Sequence, residues 1–156
     1  MKYQLDFRTQ YGQFYLSDKT SEKNTEAADF WTDEAFDDRL AMGAGILGVG
    51  TECYGHVKGE VHILNSASAQ NDFNVFDHVV EGGIVIQSGL LEVLDCPNSH
   101  LELEIPLTPG KYRARVYSSR LASVMDDDGD DYYIIEIWPD ENTERVVLKR
   151  YRKLQG

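Results

Sequence analysis

The sequence contains few of the residues and patterns that indicate a disulfide scaffold, a membrane protein or a secreted protein. Its two cysteines, Cys53 and Cys96, are too few for a disulfide framework, although they could form a single bridge. No stretch approaches the roughly 18 apolar residues of a membrane span, and Met1 to Asp6 lacks the apolar run of a secretory signal. We therefore expect a cytoplasmic protein of one domain, since 156 residues can bury a sizeable core.

Recognisable catalytic motifs are also missing. The sequence has no G-x-S-x-G, H-E-x-x-H or P-loop motif. Gly43 to Gly48 matches G-x-G-x-x-G, but this stretch follows a predicted helix and opens a strand, the reverse of a dinucleotide site, so we expect these glycines to permit tight packing. We predict no catalytic residues and no enzyme. A catalytic alternative would need a deep pocket that gathers His56, His62 or His100 with carboxylates.

Basic residues are scarce until the end of the chain. The formal net charge is −12, and five of the 15 basic residues fall after residue 144, namely Arg145, Lys149, Arg150, Arg152 and Lys153. Residues 1 to 144 hold all 27 acids and ten basic residues, a net charge of −17. Such a body should repel nucleic acid and anionic membranes and attract a basic protein. The competing interpretation is that the acidic surface only provides solubility.

Two acidic segments are the candidate partner-binding surfaces. Residues 18 to 38 carry a net charge of −6, and residues 126 to 144 a net charge of −9. Both consist largely of predicted loops, where binding residues usually lie. Trp31, Tyr132, Tyr133 and Trp138 could add aromatic anchors, although we expect Tyr133 and Trp138 in the core. The candidate binding residues are Asp33, Glu34, Asp37, Asp38, Asp126, Asp127, Asp128, Asp130 and Asp131.

Metal binding is a weaker alternative. The run from Asp126 to Asp131 could hold calcium or a small ligand, but it is no EF-hand, because a glycine occupies position 4 and Ile137 occupies position 12. Cys53-x-x-His56 and Cys96-x-x-x-His100 superficially resemble a zinc set, yet residues three apart on an extended strand point to opposite faces. We therefore predict no metal and no cofactor, and expect solvated histidines.

Short apolar alternations predict a mainly β fold. We expect a two-layer β-sandwich of eight to ten short, mostly antiparallel strands with one α-helix near residues 33–42. Thr32 suits the helix N-cap and Gly43 its left-handed stop, while Phe36 and Leu40 should pack on a sheet. The apolar run from Tyr132 to Trp138 predicts a central strand.

Two hairpins and a final strand complete the predicted fold. Pro109 and Gly110 suit a type II turn that would pair Ile105 with Ala114 and Glu104 with Arg115. Adjacent glycines at 82 and 83 suggest a second hairpin turn, between strands at 73–81 and 84–88. The last strand, at 145–151, leads into a basic tail that we place at residues 145–156.

Several short blocks resemble the competence protein J family. They are Tyr11 to Leu16, Trp31 to Ala35 and Gly83 to Ser88, of which the Trp-Thr-Asp-Glu-Ala stretch is the most specific. Similar spacing continues through Leu103 to Tyr117 and Tyr132 to Ile137. Members of this family are small bacterial proteins regarded as inhibitors of a DNA-uptake nuclease.

The resemblance implies a non-catalytic inhibitor whose partner is a nuclease. A nuclease holds phosphates with lysines and arginines, so carboxylates on a rigid scaffold could occupy its active site. The chain departs from the family pattern after about Trp138, where it has an additional strand and the basic tail.

Overall fold

The computed structural model describes residues 1–152, so Lys153 and the last part of the predicted basic tail lie outside the described residues. The described chain forms one six-residue α-helix, α1 (Asp33–Asp38), a 3₁₀ turn at Leu121–Ser123 and eleven strands. No helix in this part of the chain is long and apolar enough to cross a membrane. The strands are β1 (Lys2–Arg8), β2 (Gln13–Asp18), β3 (Leu40–Met42), β4 (Ile46–Gly50), β5 (His56–Ile63), β6 (His78–Ile86), β7 (Leu90–Leu94), β8 (Leu101–Pro106), β9 (Gly110–Ser119), β10 (Tyr132–Pro139) and β11 (Val146–Lys149).

The strands form two sheets. The six-stranded sheet has the order β1-β5-β10-β9-β6-β11, and the five-stranded sheet has the order β3-β4-β2-β7-β8. All pairings are antiparallel except β5 with β10. The predicted mainly β sandwich is confirmed, and the strand count exceeds the expected eight to ten.

One shared core lies between the sheets. Leu16 and Leu91 of the five-stranded sheet and Val116 and Ile135 of the six-stranded sheet are buried in the same apolar cluster. β5 shows the alternation that the sequence indicates, because every second residue from Val57 to Val61 is buried. Tyr133 and Trp138 are buried as expected, and β10 is a central strand.

The predicted hairpin of β8 and β9 is wrong, since the two strands belong to different sheets. Ile105 pairs with Leu91 of β7, whereas Ala114 lies between β6 and β10. Glu104 is therefore opposite Glu92, not Arg115. The residues between the strands carry the chain from one sheet to the other, and prolines at both ends of this crossover remove backbone donors. Apolar alternation alone does not distinguish a hairpin from two strands facing one core.

The predicted turn at Gly82 and Gly83 is also wrong, because β6 runs through both glycines. A Cβ on Gly82 would lie 2.7 Å from the Met42 sulfur, and one on Gly83 would lie 2.7 Å from Cα of Thr143. Chain segments thus pack closely against both faces of β6 here, and the glycines serve that close approach.

The helix is shorter than predicted. The Thr32 side chain accepts a hydrogen bond from the Ala35 N–H, which confirms the predicted N-cap. However, Arg39 adopts the left-handed conformation, with φ of 62°, and ends the helix four residues before Gly43. Leu40 is buried as expected but in β3, while Phe36 is 59% exposed and does not pack on a sheet. The non-glycine stop was not visible in the sequence.

Candidate functional site

The turn between β4 and β5, Thr51 to Gly55, touches both acidic segments. On one side, Glu52 forms a 2.6 Å ion pair with Arg39 at the end of α1. On the other side, the N–H groups of Tyr54 and Gly55 donate to the Asp127 carbonyl over 2.9 and 3.1 Å. The helix and the acidic loop, far apart in sequence, therefore flank one turn. We call this region the acidic face: α1, the turn 51–55 and the acidic loop 126–131.

Four of the five aspartates in the acidic loop are exposed. Asp126, Asp127, Asp128 and Asp130 have no ion pair among residues 1–152. Lys58 does reach the loop, but its ammonium donates to the Gly129 carbonyl, 3.0 Å away. Asp128 Oδ1 accepts from the His56 N–H over 3.1 Å and helps to hold the loop on β5. The loop thus presents largely uncompensated negative charge to solvent.

Asp131, the fifth aspartate, is a buried internal residue. Its Oδ2 accepts hydrogen bonds from the Tyr133 hydroxyl at 2.6 Å and from the Cys53 N–H at 3.1 Å. Burial raises the pKa of Tyr133, and the neighbouring Asp131 adds to the effect, so this hydroxyl stays a donor. Asp131 ties the acidic loop to the turn 51–55 and has no exposed surface for a partner.

Two aspartates at the end of α1, Asp37 and Asp38, are bound by the chain's own C-terminal arginines. Asp38 is 7% exposed and pairs with Arg145 at 2.8 Å and Arg150 at 2.6 Å. Burial would raise the pKa of Asp38, but hydrogen bonds from the two arginines outweigh it and lower the pKa. Asp37 pairs with Arg150 and Arg152 over 3.0 and 3.3 Å. The basic segment therefore docks on the helix, an arrangement that no local sequence pattern predicted.

Glu34 and Asp33, at the start of α1, form fewer ion pairs within the described part of the chain than Asp37 and Asp38 do. Glu34 is mostly exposed and lies 3.7 Å from Arg145. Asp33 is exposed and has no ion pair within the described residues. These two carboxylates can approach a partner in a way that Asp38 cannot.

His78 lies beneath the docked segment. It is buried, its Nε2 is 2.8 Å from the Asp38 carbonyl, and its Nδ1 accepts from the Tyr151 N–H over 3.1 Å. A neutral ring with the proton on Nε2 satisfies both contacts. Burial lowers the pKa of His78, and the charges of Arg39 and Arg150 lower it further, so the ring is neutral at pH 7.

The other histidines and the cysteines do not converge. His56 contacts Asp6, His62 contacts Glu60 and His100 contacts Asp95, each in a separate pair. Both cysteines are free and buried, and burial raises the pKa of the Cys53 thiol to about 12. Among residues 1–152 no group of three or more His, Cys, Asp or Glu side chains is placed to hold a metal ion. Neither the zinc nor the calcium alternative gains support.

Exposed aromatic residues on the acidic face and directly beside it were missed by the sequence reasoning. Tyr11, Phe36 and Tyr54 are 56, 59 and 45% exposed, and all three line one groove with Trp31. Tyr11 and Tyr54 each precede a glycine, Gly12 and Gly55, a turn signal that could have placed them at the surface. Phe36 gave no such signal, because its place in the helix suggested burial.

These features define a class of protein: a two-sheet β-sandwich whose acidic face combines exposed carboxylates with exposed aromatic rings. Two solved structures are similar. The first is ComJ from Bacillus subtilis, described as an inhibitor of the DNA degrading activity of NucA; it aligns with a TM-score of 0.68 and 19% identity over 90% of this chain and 99% of ComJ. The second, described as crocagin biosynthetic gene J, aligns with a TM-score of 0.60 and 20% identity over 90% of this chain and 98% of the other.

Sequence comparison is less informative than structure here. No protein-family model matches the sequence, and no curated protein matches it significantly. The structural matches confirm the resemblance to the competence protein J family at the level of the fold.

Proposed function

We propose that this protein is a non-catalytic inhibitor that binds a DNA-degrading nuclease through its acidic face. The fold it shares with ComJ, whose description names such an inhibitory role, makes a nuclease the first partner to test. The observation that carries the proposal is the acidic loop, whose exposed carboxylates have no internal cation within residues 1–152, while Asp37 and Asp38 of α1 have three arginines.

The proposed contact residues are the exposed acids of the face: Asp33, Glu34, Asp126, Asp127, Asp128 and Asp130. Asp38 and Asp131 are buried and have a structural role, because they hold α1 and the acidic loop in place. Asp37 is exposed, but its carboxylate already pairs with two arginines, so it is only partly available to a partner. Carboxylates fixed on a folded surface can take the place of DNA phosphates against the lysines and arginines of a nuclease, and they accelerate the encounter.

An inhibition assay with charge-reversed variants tests the proposal. DNA degradation by a panel of nucleases that includes NucA would be measured at low salt while the protein is titrated in. For a nuclease that is inhibited, Asp127→Lys with Asp130→Lys should weaken inhibition by about tenfold or more, because both side chains are exposed and neither makes an internal bond.

Glu102→Lys with Glu104→Lys provides the matched control. It makes the same change in net charge on β8, at the opposite edge of the five-stranded sheet from β3, the strand that follows α1. We expect this control to weaken inhibition by only about twofold. If both pairs weaken inhibition equally, net charge alone matters and the acidic face is not the contact; if no nuclease in the panel is inhibited, the proposed function is wrong.

A further inference from the structure

The acidic face contains an aromatic groove that neither the fold nor the charge explains. Its volume is about 320 Å³, and it is lined by Tyr11, Trp31, Phe36 and Tyr54 together with the Arg39–Glu52 ion pair. Large apolar side chains are mostly buried in this protein, so three exposed rings around one groove are unusual.

The groove is held open by the fold. Trp31 stacks on Phe36 with ring centroids 4.8 Å apart, and Tyr11 meets Tyr54 edge to face at 5.9 Å. The turns that carry the two tyrosines are joined by a 2.8 Å hydrogen bond from the Thr51 N–H to the Gly12 carbonyl. A partner would therefore meet rings that already stand in position, and little conformational entropy would be lost on binding.

The charges around the groove favour a cation. Asp33 and Glu34 belong to the helix that supplies one wall, and the acidic loop is hydrogen bonded to Tyr54 on the other. Arg39, the one cation that lines the groove among the described residues, is neutralised by Glu52 at 2.6 Å. The groove thus combines aromatic walls with one internally paired cation, and it lies between the acidic helix and the acidic loop.

We propose that the groove is the docking site for an arginine-bearing loop of a protein partner. The inference rests on the proposed function and names the feature of the partner that the acidic face recognises. Arginine fits because its guanidinium stacks on aromatic rings, is weakly hydrated and is attracted by the negative charge of the neighbouring helix and acidic loop. The chain itself uses this contact, since Arg39 lies 5.3 Å from the ring centroid of Tyr151 and Arg115 lies 5.3 Å from that of Trp138. Lysine, a compact and strongly hydrated cation, fits the groove less well.

Peptide titration tests the groove without a nuclease. The probes are acetyl-Gly-Arg-Gly-Arg-Gly-amide and its lysine counterpart, followed by backbone amide shifts in nuclear magnetic resonance. The arginine peptide should shift the amides of Tyr11, Phe36 and Tyr54 saturably and bind about two- to fivefold more tightly than the lysine peptide. Equal binding of both peptides, or shifts spread over other acidic surfaces, would overturn the inference.

Aromatic variants test the groove against the partner. Tyr11→Ser with Tyr54→Ser should abolish the arginine preference and weaken inhibition of a responsive nuclease by about tenfold or more. Phe36→Ser, on the opposite wall, should act in the same direction and covers the case that the tyrosine variant does not fold. Val75→Ser with Leu101→Ser is the control, because it removes two exposed apolar side chains outside the groove.

The two proposals fail in different ways. If no nuclease is inhibited, the peptide titration still shows whether the groove binds arginine in preference to lysine. If a nuclease is inhibited equally by the wild type and by the folded aromatic variants, the proposed inhibitory function is supported, but the groove is not the docking site. A single-stranded oligonucleotide serves as a further probe, and saturable binding of it to the groove would overturn the choice of a protein partner.

Discussion

Asp127 and Asp131 stand four positions apart in the acidic loop, and their carboxylates have opposite surroundings. Asp127 is exposed, whereas Asp131 is 0% exposed and accepts bonds from Tyr133 and Cys53. A run of aspartates contains no pattern that separates the two, because the difference arises from where β10 begins. The sequence therefore predicted the charge of the loop correctly. It did not predict which aspartate holds the loop in place.

Removal of the Asp131 carboxylate should destabilise the fold. Asp131→Ala leaves the buried Tyr133 hydroxyl and Cys53 N–H without their acceptor, and we expect the free energy of unfolding to fall by about 2 to 3 kcal/mol. Chemical denaturation measures this loss. Asp130→Ala, its exposed neighbour, should change stability by no more than about 0.5 kcal/mol. Equal effects of the two substitutions would show that Asp131 is not a structural residue.

At the scale of elements, α1 depends on a distant segment. A six-residue helix is too short to be stable alone, and here Arg145 and Arg150 bind its last turn while Tyr151 bonds to His78 below it. Sequence reasoning found the N-cap, which is local, and missed the helix end, which is set by Arg39 and by β3. The wrong hairpins have the same origin: alternation and glycine pairs are local signals, whereas sheet membership is decided by packing.

The docking of the C-terminal segment on α1 should weaken in mild acid. The pKa of His78 is lowered in the folded protein below its usual value of 6.5, so the neutral ring contributes stability that is fully present above pH 6.5 and is lost as the pH falls through the folded pKa. Protonation turns Nδ1 into a donor facing the Tyr151 N–H. We expect unfolding free energy, measured by denaturation from pH 7.5 to 4.5, to drop with a slope from this group below about 1.4 kcal/mol per pH unit.

His78→Gln isolates this contribution. The variant has no titrating group at this position, so its stability should depend less on pH over the same range than that of the wild type. A wild-type slope in His78→Gln, or stability that rises as the pH falls, would contradict a neutral His78 beneath the C-terminal segment.

At the scale of the whole molecule, charge is distributed unevenly by the fold as well as by the sequence. Composition predicted the net charge of −12, and alternation predicted the two-layer class. Neither could show that the C-terminal arginines pair with Asp37 and Asp38, so that the acidic loop holds most of the unpaired negative charge on the acidic face. That outcome depends on β11 pairing with β6, a long-range contact.

If the proposed function is right, association with the nuclease should depend strongly on salt. Exposed charges are screened within about 10 Å at 0.1 M ionic strength, so raising sodium chloride from about 20 to 500 mM should slow association by about tenfold or more. Dissociation should change much less, because short contacts are screened less. Stopped-flow mixing measures the association rate constant. An association rate that does not respond to salt would show that the negative field does not guide the encounter.

The position of β10 has a consequence for the order in which the chain can assemble. This strand pairs with β5 on one side and β9 on the other, and its partner β5 lies far earlier in the sequence. A ribosome-bound chain can therefore form β3 with β4 or β7 with β8 early, but the six-stranded layer has a gap until Tyr132–Pro139 has been synthesised. Folds with such high contact order close late and slowly, on a timescale of milliseconds to seconds, and the nascent protein carries unpaired strand edges until then.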